Sequence, residues 1–481
     1  MSQFTNPKTE GSSKENNNNI DKKINYESSL TNLEKISSLR TDNNGSTNLE
    51  EYKDKNIDEE VKHESYIRFS FTCIVTLALA GSGMAFAGKF LDHGQKSELF
   101  TKYPSLIAIL PPLIGMKGNI EMTLASRLGT LANQNMLEFS KKSLKHFLPN
   151  IALVCLQSVV LSTLATFVVN YFCLKTIFFD GAIVVYITSV GTAFLASTIL
   201  SHLVVFATIF AKKIGCDPDN IVGPIAACLG DSITILIMIN YGNEIEIKFQ
   251  KYPRGIYFAL LFIYVLSLML LPVAWCNKKT RSVLKTGWFA TIVAMLVSSV
   301  SGIILHSSAN IAPYIVAFQP LLNGVAGNVG AIQASKISTI LEIDYPDHKF
   351  PKNYNIGSYF MPLKLFYLRN REAYQALILI LISTGSQCYL VPLIHLLMGL
   401  DNEIPFLFNI LFVFSSMIIV LILLYISQWI CRFFWMYGCS ADDNSIPIIT
   451  SFGDLLGSSF MFLIIYVINN NSSLPMIEEE H

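Results

Sequence analysis

From residue 67 onward the chain consists mainly of long apolar stretches separated by short polar connections. A helix needs about 20 apolar residues to cross the hydrocarbon core of a bilayer. Every backbone N–H and C=O group in lipid needs a partner, which only helices and closed barrels provide. The pattern predicts an all-α polytopic membrane protein. Its eleven predicted transmembrane helices cover residues 67–90, 104–133, 147–173, 180–211, 218–241, 253–276, 287–309, 312–340, 371–398, 404–432 and 446–468.

Polar residues gather at the beginning of the chain. Residues 1–66 are rich in Asn, Ser, Lys and Glu and lack the apolar stretch of a signal peptide. Such a segment cannot bury a core, so it is predicted to be a disordered cytosolic region. The expected partner of the rest is the lipid bilayer, and no nucleic-acid partner is predicted.

Several kinds of chemistry have no motif in this sequence. The nine cysteines form no CxxC pair, and a buried free cysteine behaves as a small hydrophobe. Neither a disulfide framework nor a zinc site is therefore predicted. There is no HExxH, GxSxG or P-loop pattern. The chain is expected not to be an enzyme and to hold no organic cofactor.

The two halves of the chain are related in sequence. PPLIGMKGNIEMTLASRLGT at 111–130 aligns without gaps with PLLNGVAGNVGAIQASKIST at 320–339, an offset of 209 residues. Two five-helix repeats are predicted, at 67–241 and 287–468. The linker at 242–286 contains one extra helix, and a short extracellular tail follows at 469–481. Because six spans separate equivalent points, the halves face the same way, as parallel repeats.

The last span of each repeat contains a buried acid. Asp231 lies in PIAACLGDSITILIMINY and Asp454 in PIITSFGDLLGSSFMFLIIYV, and each is preceded directly by a glycine. An ionisable group in a membrane helix costs roughly 3 kcal/mol or more, so it normally faces a wet cavity or a bound cation. The repetition predicts one ion pathway formed by both halves, although a helix-capping aspartate and a proton relay remain alternatives.

A glycine motif also recurs, as GMKGN at 115–119 and GVAGN at 324–328. Glycines let another backbone approach closely, or let a membrane helix unwind and expose its carbonyl oxygens. Asn119 and Asn328 add amide oxygens beside them. Ordinary packing of small residues is the alternative. The further pathway candidates are Gly115, Gly118, Glu121, Ser126, Asn323, Gly324, Gly327, Gln333 and Ser335.

Other acidic residues have two interpretations each. Glu121 either belongs to the pathway or pairs with Lys117 or Arg127. Four further acids lie at the predicted cytosolic mouth: Asp217, Asp219, Asp442 and Asp443. They either cap the helices, since acids favour a helix N-terminus, or attract cations to the entrance.

The residues that could bind an ion favour a hard cation. No pair of histidines has ligand spacing, and transition-metal sites favour imidazole and thiolate. Mg²⁺ uses one or two carboxylates and keeps several waters. The predicted metal-site residues are Asp231, Asp454, Asn119 and Asn328.

Lys and Arg residues in short loops predict the orientation. One side of the membrane holds most of them, including Lys141, Lys142, Lys212 and Lys213, whereas the loops near 310 and 400 hold none. The N-terminus is therefore predicted to be cytosolic and the C-terminus extracellular.

The chain resembles the eukaryotic solute carrier 41 family of magnesium transporters, relatives of the bacterial MgtE channels. The resemblance rests on the two aligned segments above, together with DPDNIVGPIAACLGD and DDNSIPIITSFGDLLG, and covers about 67–468. It implies that the halves mimic the two subunits of the bacterial dimer around a central Mg²⁺ pore. It also implies that Asp231 and Asp454 hold the hydrated ion, with Asn119 and Asn328 along its path.

The resemblance further implies transport of Mg²⁺ as the substrate, sodium-coupled efflux with Na⁺ as coupling ion, and function as a monomer in the plasma membrane. Two departures stand out. The Mg²⁺-sensing domains of the bacterial proteins, including their CBS modules, are replaced by 66 polar residues, and the second cytosolic mouth is less acidic than the first. Transport of Mn²⁺ or Co²⁺, a proton-coupled carrier, and an intramembrane aspartyl enzyme are the alternatives.

Overall fold

Helices account for nearly all of the described chain. The computed structural model describes residues 66–133, 144–174, 181–214, 218–345, 348, 350, 371–399, 404–439 and 441–470, and these residues contain no β-strand. The predicted disordered region up to residue 65, most of the predicted tail and Asp217 lie outside these ranges. The predicted all-α polytopic fold class is confirmed.

Thirteen α-helices and one 3₁₀ helix occur in the described ranges. They are α1 (Tyr66–Gln95), α2 (Glu98–Lys102), α3 (Ser105–Asn133), α4 (Leu144–Leu174), α5 (Ala182–Ile214), α6 (Pro218–Lys251), α7 (Pro253–Trp275), α8 (Lys278–Thr286), α9 (Trp288–Ala309), a 3₁₀ helix (Pro313–Phe318), α10 (Gln319–Asp344), α11 (Arg371–Met398), α12 (Phe406–Met436) and α13 (Ala441–Asn470).

Eight of these helices are long and apolar enough to cross a membrane: α1, α4, α5, α7, α9, α11, α12 and α13. The predicted count of eleven also requires α3, α6 and α10, which are long but carry the glycine motifs and one of the two aspartates. These three helices are less apolar than the other eight: α3 and α10 supply most of the lining of the cavity described below, and α6 contributes Asp231 to it. Eleven spans therefore remains a prediction.

Several helices extend beyond the predicted spans. Helix α6 runs to Lys251, ten residues past the predicted end, and α2 and α8 were not predicted. Apolarity marks only the part of a helix that meets lipid, whereas the backbone hydrogen bonds continue into polar sequence. At the other extreme, α10 begins only at Gln319, because a 3₁₀ helix occupies the residues before it.

The first helix of each predicted repeat packs against the other repeat. On α1, a Cβ added at Gly88 would meet the carbonyl oxygen of Ala317; on α9, one added at Gly302 would meet that of Ala108. Ala108 and Ala317 are again 209 residues apart, so the two contacts are equivalent and pair α1 with α9. These contacts all lie within one compact part of the chain, Ser70–His481.

We call α1 and α9 the exchanged helices, because each packs against the other repeat. Each also contacts the aspartate-bearing helix of its own repeat. Ser232 on α6 donates a hydrogen bond of 2.8 Å to the carbonyl of Gly83 on α1, and α9 packs along α13. The exchange therefore brings α1 and α9 to the boundary between the halves, next to the segments that carry the aspartates.

The extra helix α7 lies at the periphery. It packs against α4, α5 and α6, but only 11% of its most apolar 18-residue stretch is buried. Trp275 is the last residue of α7, and Arg281 and Lys285 of α8 lie 5.4 and 5.6 Å from its ring. This arrangement is typical of a membrane–water interface. Its position fits a helix whose task is to return the chain across the bilayer.

Candidate functional site: a cavity lined by two aspartates

A cavity of about 100 Å³ lies between the halves. Asp231 on α6 and Asp454 on α13 both line it, as do Asn119 on α3 and Asn328 on α10. One water needs about 10–15 Å³, so the cavity has room for several. The wall also includes five of the other pathway candidates: Gly115, Gly118, Asn323, Gly324 and Gly327.

Helices α3 and α10 continue unbroken through both glycine motifs. Of the two alternatives for these glycines, unwinding does not occur in this structure. Instead, the glycines allow close approach. A Cβ on Gly453 would lie 3.3 Å from the Cα of Gly327, so α10 and α13 meet through backbone. One on Gly115 would lie 2.6 Å from Oδ2 of Asp454, and one on Gly118 would meet open space.

Hydroxyl and amide groups hold Asp454 in place. Ser298 on α9 donates a hydrogen bond of 2.7 Å to Oδ2, and the amide of Asn323 lies 3.5 Å from Oδ1 as a weak donor. Ser301 donates to the backbone carbonyl of Asp454 at 2.8 Å. These donors come from two helices, so the carboxylate is fixed from both sides.

A second layer supports these donors. Ser301 and Ser458 share a hydrogen bond of 2.6 Å, and the amide nitrogen of Gln319 donates to Ser458. Both serines are fully buried, and Gln319 is nearly so. Helices α9, α10 and α13 therefore meet through one polar network around Asp454.

Asp231 has a different environment. Among the side chains that the structure describes, none donates a hydrogen bond to it. A buried ion pair lies behind it instead: Lys117 Nζ is 3.0 Å from Glu121 Oε1, and each side chain is 2% exposed. A Cβ on the neighbouring Gly230 would lie 3.4 Å from Oε2 of Glu121. The charged neighbour of Asp231 is therefore an ion pair, whereas the neighbours of Asp454 are hydrogen-bond donors.

The two asparagines also differ in their contacts. Thr450 on α13 donates a hydrogen bond of 2.9 Å to Oδ1 of Asn119 on α3, which links the two halves across the cavity. The position equivalent to Thr450 in the first half is Ala227, which has no hydroxyl to offer Asn328.

Three sequence-derived candidates lie away from the cavity wall. Glu121 pairs with Lys117, which was the alternative interpretation, and it does not line the cavity, so its place in the pathway stays a prediction. Gln333 is fully buried and its amide nitrogen lies 3.4 Å from the carbonyl of Glu372. Ser335 is half-buried and does not line the cavity. Only one face of α3 or α10 meets the cavity. Ser335 shares that face with Asn328 but lies two helical turns further along α10.

The structure does not test the cytosolic mouth. The side chains of Asp219, Asp442 and Ser126 are outside the described part of the chain, and Asp443 is exposed in the first turn of α13. Their roles remain predictions.

Sequence reasoning missed four residues near Asp454: Ser298, Ser301, Gln319 and Ser458. Ser298 and Ser301 stand three residues apart in a mostly apolar helix, which places them on one face. Gln319 and Asn323 stand four residues apart on α10, which also places them on one face. This spacing was visible in the sequence, but nothing there indicated that α9 would lie beside α13.

The fold and the cavity define a class: a polytopic membrane protein with paired carboxylates in a cavity between two related halves. Comparison with known proteins identifies it more closely. A profile of the MgtE family, described as a divalent cation transporter, matches residues 110–241 and 319–464. The matched segments begin 209 residues apart and end 223 apart, the offsets of the internal repeat and of the two aspartates.

Curated relatives agree with this match. Solute carrier family 41 member 2 of Homo sapiens is 33% identical over 399 residues, covering 81% of this chain and 69% of the relative. Member 2 of Gallus gallus is 32% identical over 432 residues, 88% and 74%. Member 3 of Mus musculus is 32% identical over 426 residues, 86% and 85%. No solved structure matches significantly.

The chain belongs to the solute carrier 41 group of MgtE-type divalent cation transporters. It is an integral membrane protein and a transporter rather than an enzyme. The alternative of an intramembrane aspartyl enzyme is thereby excluded.

Proposed function

We propose that the chain carries Mg²⁺ across the membrane through the cavity between its halves, with Asp231 and Asp454 engaging a largely hydrated ion. The observation that carries this proposal is the meeting of the two aspartates in one space large enough for water. Two carboxylates balance the charge of one divalent cation. Mg²⁺ loses its waters reluctantly and binds through few protein oxygens, so a roomy oxygen-lined cavity suits it.

Ion flux into proteoliposomes tests the proposal. Asp231→Ala and Asp454→Ala are each expected to abolish Mg²⁺ flux, because one remaining carboxylate leaves half of the ion's charge unbalanced. Asp92→Ala is the matched control, since Asp92 forms only a surface pair with Lys96. Normal flux through the double variant Asp231→Ala/Asp454→Ala would refute the site.

Hydration of the ion has its own test. Hexaamminecobalt(III) keeps its ammonia ligands and mimics a hydrated cation. It is expected to compete with Mg²⁺ in the wild-type protein. Absence of competition would mean that the ion sheds its waters and binds directly.

Mn²⁺ or Co²⁺ transport is the second candidate. Met84 and Met122 line the cavity, and thioether sulfur favours softer ions than Mg²⁺. Equal flux of Mn²⁺ or Co²⁺ in the same vesicles, with loss of competition by Mg²⁺, would favour this function.

Coupling and topology complete the proposal. The transporter acts as a single chain in the plasma membrane, its N-terminus in the cytosol and its C-terminus outside, and it exports Mg²⁺ in exchange for Na⁺. Independent variation of the two gradients tests the exchange: Mg²⁺ flux that ignores the Na⁺ gradient would refute it. Accessibility of terminal tags in intact and permeabilised cells tests the orientation.

A further inference from the structure

The surroundings of the two aspartates are chemically unequal. The network around Asp454 contains Ser298, Ser301, Gln319, Asn323 and Ser458. The internal repeat assigns an equivalent to each of them. Offsets of 209 and 223 residues pair Gln319 with Leu110, Asn323 with Ile114, and Ser458 with Ile235.

The remaining two pairs follow from the exchanged helices. Because Gly88 and Gly302 make equivalent contacts, Met84 corresponds to Ser298 and Ala87 to Ser301. A second contact agrees with this register: Ser298 approaches Gly115, and Met84 approaches Gly324, the equivalent of Gly115. All five polar residues near Asp454 therefore correspond to apolar residues at the equivalent positions of the other half.

This inequality has a direct electrostatic consequence. A hydrogen bond to an ionised group is stronger than one between neutral groups, and it favours the charged form. Partners that hydrogen-bond to a ligating carboxylate also fix its orientation. Asp454 is thus held and oriented as an ion ligand before any cation arrives. Among the described side chains none orients Asp231 in this way, and the charged group near it is the Lys117–Glu121 ion pair.

We propose that a cation in the cavity rests off the pseudo-twofold axis, against Asp454, and that Ser298 and Asn323 are positioning residues that hold this carboxylate for it. The inference rests on the proposed function, because it concerns the ion that this cavity carries. It replaces a symmetric site between two equal acids with one strong site in the second half.

Matched substitutions at equivalent positions test the inference. Ser298→Ala is compared with Met84→Ala, and Asn323→Ala with Ile114→Ala. The second-half variants are expected to raise the Mg²⁺ concentration for half-maximal flux by roughly tenfold, the lower end of the usual effect of such partners, with a smaller change in maximal flux. The first-half variants remove as much side chain or more, so a mere packing role would make them at least as harmful.

Binding to purified protein gives an independent measurement. Mg²⁺ stabilises the folded protein that it binds and so raises its melting temperature. The Mg²⁺ concentration at the midpoint of this rise reports affinity without a flux measurement. Asp454→Asn and Asp231→Asn keep the side-chain shape. Asp454→Asn is expected to shift the midpoint at least tenfold further than Asp231→Asn.

Equal midpoints for the two asparagine variants, or equal effects within both alanine pairs, would overturn the inference. Failure of the proposed function looks different: the wild-type protein itself would then carry no Mg²⁺. Wild-type flux with symmetric variants would overturn the unequal site alone.

Discussion

The glycine that faces Asp454 offers a sharp test of the cavity geometry. In the Gly115→Ala variant, the new Cβ would lie 2.6 Å from Oδ2 of Asp454 and 3.1 Å from Oγ of Ser298. Ordinary contact begins at 3.4 Å, so the carboxylate oxygen must move by about 0.8 Å. The methyl group stands between the acid and its donor, and the shift disturbs the hydrogen bond of 2.7 Å that joins them.

The size of the effect follows from this bond. A hydrogen bond to a charged group contributes about 1.5–3 kcal/mol, and 1.4 kcal/mol corresponds to tenfold in affinity. Gly115→Ala is therefore expected to raise the half-saturating Mg²⁺ concentration roughly tenfold to a hundredfold. Overpacking costs about 1–3 kcal/mol of folding stability, so the melting temperature also falls.

Two controls separate displacement of the acid from loss of a glycine. Gly385→Ala in α11 and Gly118→Ala in α3 each place a methyl group in open space. If flexibility of α3 mattered most, Gly118→Ala would resemble Gly115→Ala; a smaller effect is expected instead. Flux in proteoliposomes and thermal unfolding of the purified protein give both quantities. A well-folded Gly115→Ala protein that saturates within twofold of wild type would refute the reasoning.

Two further predictions concern packing and buried charge. Gly302→Ala forces a methyl group onto the carbonyl of Ala108, which is backbone and cannot move aside. The melting temperature of this variant is expected to fall by several degrees. Gly255→Ala makes only an ordinary contact at 3.7 Å and is expected to leave the melting temperature unchanged. Equal melting temperatures of the two variants would argue against the packing of α9 on the first half. Lys117→Met leaves Glu121 as an unpaired buried charge and is expected to cost about 3–5 kcal/mol of stability in chemical unfolding. The double variant Lys117→Met/Glu121→Gln is expected to recover most of this stability, and a double variant no more stable than the single one would contradict the pairing.

The candidate cavity was more predictable than the fold around it. An acid in an apolar helix needs a polar environment, and two acids in equivalent positions share one when the halves meet, so Asp231 and Asp454 could be placed together from sequence alone. Their glycine-rich neighbours followed from the internal alignment. The alternative pairing of Glu121 with Lys117 was also visible, because they stand one helical turn apart.

The exchange of α1 and α9 was not predictable in this way. Both helices are apolar, and hydropathy does not say which neighbours an apolar helix contacts. The decisive signal is small: Gly88 and Gly302 each permit a close approach to a carbonyl group in the other half. Without that contact, Ser298 cannot be assigned to Asp454, and the polar network around the second aspartate stays hidden.

The fusion of two repeats in one chain explains how such a site can become unequal. In a dimer of identical subunits, symmetry repeats every residue on both sides of the axis. A serine beside one aspartate would then stand beside the other as well. In a single chain the two halves vary separately, so Ser298 can face Asp454 while Met84 occupies the matching place. An ion passing along a symmetric axis meets two equal partners, whereas here it meets one carboxylate held by hydrogen-bond donors and one beside the Lys117–Glu121 ion pair.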